Sequence, residues 1–500
     1  MIKLVSSANG DAVMRVCDIQ RCEVRPGRLV EFTFSEATVG AMASLAPDPR
    51  PPAYIQESHI RTARSVREGG LFVPTWLGAA FDLPGRVDLD VLERALRGWT
   101  LRHETLRSGF RWAGDEMQRF TLREGDVSLR REVVGDFADA GALVRYLQNR
   151  FDTAADALRW PNLIYTAVVR DDSTSVYMAF DHTNVDAYSL QRIPEEIHEL
   201  YMAGLTGRPV AGMPRGSYVD FCRQERRDAD GIGDTHAIVA RWREFIGRCG
   251  GRLPAFPVDL GLRPGDVLPA QKLVCEPLVD ANAAAAFEAY CRPYGGSLVG
   301  ILAATSLIVH ELGGEPVYRT VVPFHTRLKS AWSDSVGWYV GGAPIEVPAA
   351  RDFRGALETV RAELRANRSL ARIPLARVLP LLGADFRPTS PDLYSIVSYV
   401  DARLLPGSSR WTESKAYGLI RVSYGDQVCV WVNRLHEGLW FACRYPDTDI
   451  AYKNVRRYVE RLRDVIASVP THDASPPPSR RPVDTTPLSL SGVGAAPGRT

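Results

Sequence analysis

The segment "SVYMAFDHTNVDAYSLQRIPEEIHEL", Ser175–Leu200, constrains the fold more than any other stretch. Its first part alternates as a strand does. Val176, Met178, Phe180 and His182 share one face, and Tyr177, Ala179 and Asp181 share the other. Its last part sets Leu190, Ile193, Ile197 and Leu200 on one helical face. An apolar strand therefore runs through a short polar turn into an amphipathic helix, and His182 projects from an apolar face where the strand ends. A neutral imidazole there can accept a proton, because its ordinary pKa lies near physiological pH. Asp186 can fix the turn through its own side chain or by pairing with a cation. A lone histidine at a strand end is more often structural than catalytic, so the rest of the chain decides its meaning.

The rest of the chain mixes helices and strands in both halves, an α/β (α+β) pattern. "VDLDVLERALRGWTLRH" predicts a helix capped by Asp88 or Asp90, with Leu92, Leu96 and Trp99 in one stripe. "RSGFRW" and "EMQRFTL" read as paired strands, "DAGALVRYLQNRF" as a helix, and "NLIYTAVVR" with "SVYMAF" as a hairpin. Residues 205–235, rich in Gly, Pro and charge, read as a connection. Beyond it come helices at 236–249, 281–292 and 297–312, five strands from "PVYRTVVPF" to "GLWFACRY", and a last helix, "IAYKNVRRYVERLRDVIASV". The expected division is a first lobe over 1–215, a second over 216–470 and a disordered tail over 471–500, whose composition buries too little apolar surface to fold.

Composition excludes some classes. With 61 basic and 59 acidic residues the net charge is +2, which gives nucleic acid no electrostatic footprint. None of the 8 cysteines forms a C-x-x-C pair, so no metal site is expected, and scattered single cysteines fit a reducing cytosol. No stretch approaches the ~18 apolar residues of a spanning helix, so no stable membrane insertion is expected. "GLRPGDV" and "YGGSLVG" lack the spacing of a dinucleotide or phosphate loop. "GSLVG" is not a hydrolase nucleophile elbow.

Several segments in order carry a family resemblance. "RHETLRSGF", Arg102–Phe110, resembles the R-H-E-x-L-R-T-x-F motif of nonribosomal-peptide condensation domains. "DHTNVDAYSL" is similar to their H-H-x-x-x-D-G-x-S motif, "SYVDF" to Y-x-D-F, and "VGWYVGGAPIEV" to V-G-x-F-V-N-T-x-P-x-R. "SYVDARLLPG" and "RYPDTDIA" look more like the free-standing polyketide-associated acyltransferases of actinobacteria that share that fold. The resemblance covers about residues 50–465.

It implies two chloramphenicol-acetyltransferase-like lobes in a V-shaped pseudo-dimer with a tunnel between them. It also implies an acyltransferase whose general base matches His182 and whose structural Asp matches Asp186, paired with an Arg from the second lobe. Arg327, in "VVPFHTRLK", is the candidate. The donor would be a thioester, on coenzyme A or on a carrier protein's phosphopantetheine acting in trans, with no permanently bound cofactor. The acceptor would be a hydroxyl or amine of a lipid or secondary metabolite, and the enzyme a cytoplasmic monomer. A free-standing amide-forming condensation enzyme and a catalytically silent carrier-protein binder are the alternatives.

The chain departs from the pattern at named positions. Asp181 replaces the motif's first His; pointing away, it acts on His182 only indirectly, and turned inward it would raise the His182 pKa. Ala187 replaces the Gly, which favours a negative φ there. Gly341 and Gly342 replace N-T and would make room in the tunnel. Tyr188, Trp338 and Tyr339 could line it, although aromatic residues on a strand are as often plain core, and Ser398 could bond an oxyanion. His325 reads as a strand-end histidine, His103 as packing, and Arg102 and Arg107 as ion-paired structural residues.

Overall fold

The computed structural model describes residues 15–209, 216–263, 268–388, 395–422 and 424–472. From residue 473 onward the expected tail lies outside the described residues. The fold is α/β, with two lobes each built on a mixed sheet. The first sheet orders seven strands as Arg15–Cys17, Tyr417–Ile420, Leu77–Pro84, Ser173–Phe180, Leu163–Val169, Gly27–Phe34 and Leu129–Phe137. The second orders six as Val340–Pro348, Val317–His325, Ile396–Asp401, Cys429–Leu435, Gly438–Pro446 and Gln271–Asp280.

The strand Ser173–Phe180 is central, with Phe180 opposite Leu77 on one side and Leu163 on the other. Every residue in it is buried. Val176, Met178 and Phe180 meet the helices Leu89–Arg102 and Ala187–Thr206 through Leu96, Trp99, Ile193 and Ile197. Tyr177 and Ala179 meet Leu143, Leu147 and Phe151 of the helix Ala140–Ala154. Asp88 caps Leu89–Arg102, accepting from the amides of Asp90 and Val91 at 2.8 and 3.0 Å. Ala187–Thr206 carries Pro194 in its interior and ends at Gly207, whose φ of 64° suits a residue without Cβ. An interior proline costs about 3 kcal/mol. Each fully buried aliphatic side chain contributes about 1.5–3 kcal/mol, so Ile193 and Ile197 together offset it. In the second lobe the helix Ser297–Gly313 is buried along most of its length, and Asp449–His472 covers it, with Tyr458 Oη 2.9 Å from Thr305 Oγ1.

Four features depart from the sequence reading. Within 205–235, Ser217 caps a helix, Tyr218–Asp230, whose Tyr218, Phe221 and Cys222 are buried. Residues 210–215 of that stretch lie outside the described residues. Tyr417–Ile420 pairs parallel with Arg15–Cys17 and antiparallel with Leu77–Pro84, so the second half lends a strand to the first lobe's sheet. The lobes are therefore not two consecutive stretches divided at 215. Cys17 and Cys22 form a disulfide, because the 3-10 turn Ile19–Arg21 folds their Cα atoms to 6.3 Å. That pairing removes two of the scattered single cysteines from the reducing-cytosol argument. Finally, the proline-rich stretch 46–53 leads into a helix, Tyr54–Glu68, to which the sequence reading assigns no element; only Gln56 and Ile60 are buried in it.

No single helix among the described residues is long and apolar enough to cross a membrane. The bent pair Ala281–Tyr294 and Ser297–Gly313 passes on length and composition, and its apolar residues lie in the second lobe's core.

Candidate active site

The strand ends at Phe180, and the turn that follows is tied down group by group. Asp181 N donates to the Asn162 carbonyl at 2.9 Å, and Asn184 N to the Asp181 carbonyl at 3.0 Å. Asn162 Nδ2 donates to Thr183 Oγ1 at 3.1 Å, and Asn184 Nδ2 to Asn162 Oδ1 at 2.8 Å. Gln56, from the helix Tyr54–Glu68, donates through Nε2 to the Thr183 carbonyl at 2.7 Å. These bonds tie the backbone of Asp181, Thr183 and Asn184 to one another and to Asn162 and Gln56, which makes the turn rigid.

Asp186 closes the turn and caps the next helix, accepting from Ser189 N at 2.8 Å. Arg327 grips it from the second lobe with two bonds, Nη1 to Oδ2 at 2.7 Å and Nη2 to Oδ1 at 3.0 Å. Both side chains are 3% exposed. Arg327 Nη2 also donates to Ser189 Oγ at 2.8 Å, Tyr339 N donates to Asp186 Oδ2 at 3.0 Å, and the guanidinium lies over the rings of Tyr188 and Tyr339. Burial opposes charge on Asp186, but the Arg327 charge and bonds overcome it and hold the carboxyl below its ordinary range. Ala187 is the first helical residue, and Lys415 is the sole non-glycine with positive φ among the described residues. Alanine fits there without strain.

His182 sits between these anchors. Its ring stacks on Trp338 at 3.7 Å between centroids and 22° between planes. Trp338 belongs to the segment that Arg327 and Tyr339 hold, and its carbonyl accepts from Tyr218 Oη at 3.0 Å. Gly337 lets that segment lie against Tyr218, since a Cβ there would stand 2.3 Å from the Tyr218 ring. His182 Nδ1 is buried without a hydrogen-bond partner.

The residue that sequence reasoning missed is His59. Its Nε2 lies 3.0 Å from Asp181 Oδ2, its ring is 6.4 Å from that of His182, and it meets the Trp338 ring edge-on at 5.5 Å. Burial alone would keep His59 neutral; the Asp181 carboxylate overrides it and raises the His59 pKa. His182 moves the other way. Burial lowers its pKa first, and the His59 charge lowers it further. Asp181 thus turns inward, 1% exposed, and the expected rise on His182 does not follow. Its charge does favour the imidazolium, but burial and the intervening His59 outweigh it.

The structure brings His182, Asp181, Asp186, Arg327, Ala187, Tyr188 and Trp338 into one cluster. Gly341 and Gly342 do not open space. A Cβ at Gly341 would stand 2.0 Å from the Ala371 carbonyl oxygen, and one at Gly342 would stand 2.8 Å from Val321 Cγ1, so both serve close packing. Ser398 pairs with Trp431 within the second sheet, and no hydrogen bond joins it to the cluster among the described residues. His325 is exposed at the end of its strand, opposite Val340. His103 is buried, with Nε2 2.7 Å from Glu196 Oε2 and Nδ1 accepting from Val336 N at 3.4 Å, so it braces the same Val336–Tyr339 segment. Arg107 lies 4.0 Å from Glu104 and donates to the Leu122 carbonyl. Arg102 departs from the ion-paired expectation, its Nη1 buried without a partner. No group of three or more His, Cys, Asp or Glu among the described residues is arranged to hold a metal.

Comparison with known proteins places this geometry. Residues 76–385 match the Condensation domain family. Acyltransferase PapA3 of Mycobacterium tuberculosis is 28% identical over 456 residues, 89% of this chain and 93% of its own. Trehalose-2-sulfate acyltransferase PapA2 of the same organism is 29% identical over 458 residues, 88% of this chain and 94% of its own. The solved PapA2 acyl transferase superposes with a TM-score of 0.83 at 26% identity, covering 91% of this chain and 100% of that one. The condensation domain of the Monacolin K polyketide synthase MokA shares the fold at a TM-score of 0.63 and 16% identity, over 86% of this chain and 98% of that one. With its two-lobe fold and its His-x-x-x-Asp turn gripped by an arginine of the other lobe, the chain belongs to the condensation-domain family of acyltransferases.

Proposed function

We propose that this protein transfers an acyl group from a thioester to a hydroxyl of a polar small molecule, with His182 as general base. The observation that carries the reading is the neutral, Trp338-stacked imidazole set on a turn immobilised from both lobes. A base must be unprotonated at working pH, and its ring must hold one orientation. The donor is an acyl thioester of coenzyme A or of a carrier protein's phosphopantetheine arm supplied in trans, and the two reactants meet in a tunnel between the lobes. A relative named for acylating trehalose 2-sulfate supports a hydroxyl acceptor, and hence an ester, over an amine.

The chemistry balances without a covalent acyl-enzyme. As the acceptor oxygen bonds to the thioester carbonyl carbon, His182 takes the hydroxyl proton. The tetrahedral oxyanion collapses, the carbon–sulfur bond breaks, and the imidazolium returns the proton to the departing thiolate. One ester and one free thiol result. The enzyme acts as a monomer and needs no Ser or Cys nucleophile.

The test incubates the purified full chain with a panel of acyl thioesters and sugar or polyol acceptors. Mass spectrometry follows both products and the intact protein. Ester plus one equivalent of free thiol, with no acyl adduct on the protein, is expected. A stoichiometric acyl adduct, or amide formation alone, would overturn the reading.

A further inference from the structure

We propose that His59 and Asp181 form a positioning pair for His182: a carboxylate stands where the family motif has its first histidine, and a histidine from the helix Tyr54–Glu68 answers it, so that a titratable cation held in place beside the base keeps it unprotonated. The inference rests on the reading of His182 as base and adds a residue that lies outside the motifs.

The pairing is built into the fold. Asp181 spends one oxygen on Thr183 N, at 2.9 Å, and the other on His59 Nε2, at 3.0 Å. Its side chain is 1% exposed and that of His59 is 15% exposed. An unanswered carboxylate in such a place is costly, and each partner favours the charge of the other: His59 lowers the Asp181 pKa and Asp181 raises that of His59. The helix bearing His59 cannot drift. Gln56, one turn earlier on the same face, donates to the Thr183 carbonyl, and its Oε1 accepts from Ala53 N at 3.0 Å and from Arg119 Nη2 at 2.9 Å. His59 then reaches Trp338 edge-on while His182 stacks on Trp338, so one indole fixes the distance between the two imidazoles. The charged groups that act on His182 are His59, Asp181 and Asp186. Asp186 is neutralised by Arg327, and Asp181 is committed to His59. Both carboxylates still favour a charged His182, but the His59 cation, the largest of the three charge effects, outweighs either of them and disfavours a second positive charge on the half-buried ring. Burial acts in the same direction, so the base stays available well into acid.

The test is a histidine-selective NMR titration of the full chain, with ring signals assigned from His182→Asn and His59→Gln. In the wild type, His59 is expected to hold its proton above its ordinary midpoint of about 6.5, and His182 to stay neutral well below it. In His59→Gln the unopposed Asp181 charge should raise the His182 midpoint by ~1 pH unit or more. The acid limb of kcat/KM should move up with it. Asp181→Asn should shift it less, since that change removes anion and cation together. A wild-type His59 that titrates at or below its ordinary midpoint overturns the proposal. So does an unmoved His182 midpoint in folded His59→Gln. A moved midpoint in a protein without acyl transfer leaves the pair standing and refutes the base assignment instead.

Discussion

Two ion pairs flank His182, and they are made differently. Asp186 and Arg327 join the two lobes through two parallel bonds, both partners 3% exposed. Asp181 and His59 lie within the first lobe and share one contact of 3.0 Å. A guanidinium does not titrate in the working range, whereas an imidazolium does. The first pair is therefore a permanent brace and the second an adjustable charge. Two acids five positions apart in one motif do unlike work because the cations that answer them differ in kind.

Breaking the brace should have the largest effect on folding. Asp186→Ala leaves the Arg327 guanidinium buried without its partner, and such losses cost about 3–5 kcal/mol. Chemical denaturation should show that loss, together with poor soluble yield. An unchanged midpoint would mean that the lobes hold together by other contacts. Arg327→Lys keeps the charge but loses the two-point grip, and a smaller loss is expected in the same measurement.

The pH dependence sharpens the contrast. The Asp186 carboxyl is held below its ordinary range, so its contribution is present at neutral pH and is lost only as pH falls below that range. The His59 pKa is raised, so its contribution is fully present below about 6.5 and is lost as pH rises through the raised value. The cost of Asp181→Asn should therefore shrink between slightly acid and alkaline pH, while that of Asp186→Asn stays level. Denaturation midpoints of both variants across that range check it; parallel behaviour would erase the distinction.

Trp338 is the common wall of His182 and His59. Trp338→Ala should lower turnover by about tenfold, comparable to the ~1.4 kcal/mol of a good aromatic contact, with little change in fold. The smallest effect is expected at Ser398. Ser398→Ala should stay within about 0.5 kcal/mol of wild type, as substitutions away from special contacts do, with turnover unchanged. Lost turnover there would return the oxyanion reading.

What the sequence made legible follows the reach of each signal. Strand period and helical stripe exposed Ser173–Phe180, Leu89–Arg102 and the buried Ser297–Gly313, because each buries one continuous face. The turn at Asp186 and the neighbourhood of Arg327 came from motif order rather than from periodicity. His59 stayed hidden for a physical reason. Its helix "YIQESHIRTARSVRE" is charged, buries Gln56 and Ile60, and acts through a contact 122 residues away in sequence. The signal that could have found it is Asp181 itself, since a carboxylate at the end of an apolar strand is buried and demands a cation. Tyr417–Ile420 was too short to show a period, and its place in the first sheet depends on its pairing with Arg15–Cys17 and Leu77–Pro84.

The central claim is that a neutral His182 accepts the acceptor's proton. Turnover of folded His182→Ala against wild type, with the thioester and acceptor that wild type uses best, tests it most directly. A fall of about 10²–10⁴-fold with an unchanged melting temperature is the predicted result. Turnover close to wild type in that variant would contradict it.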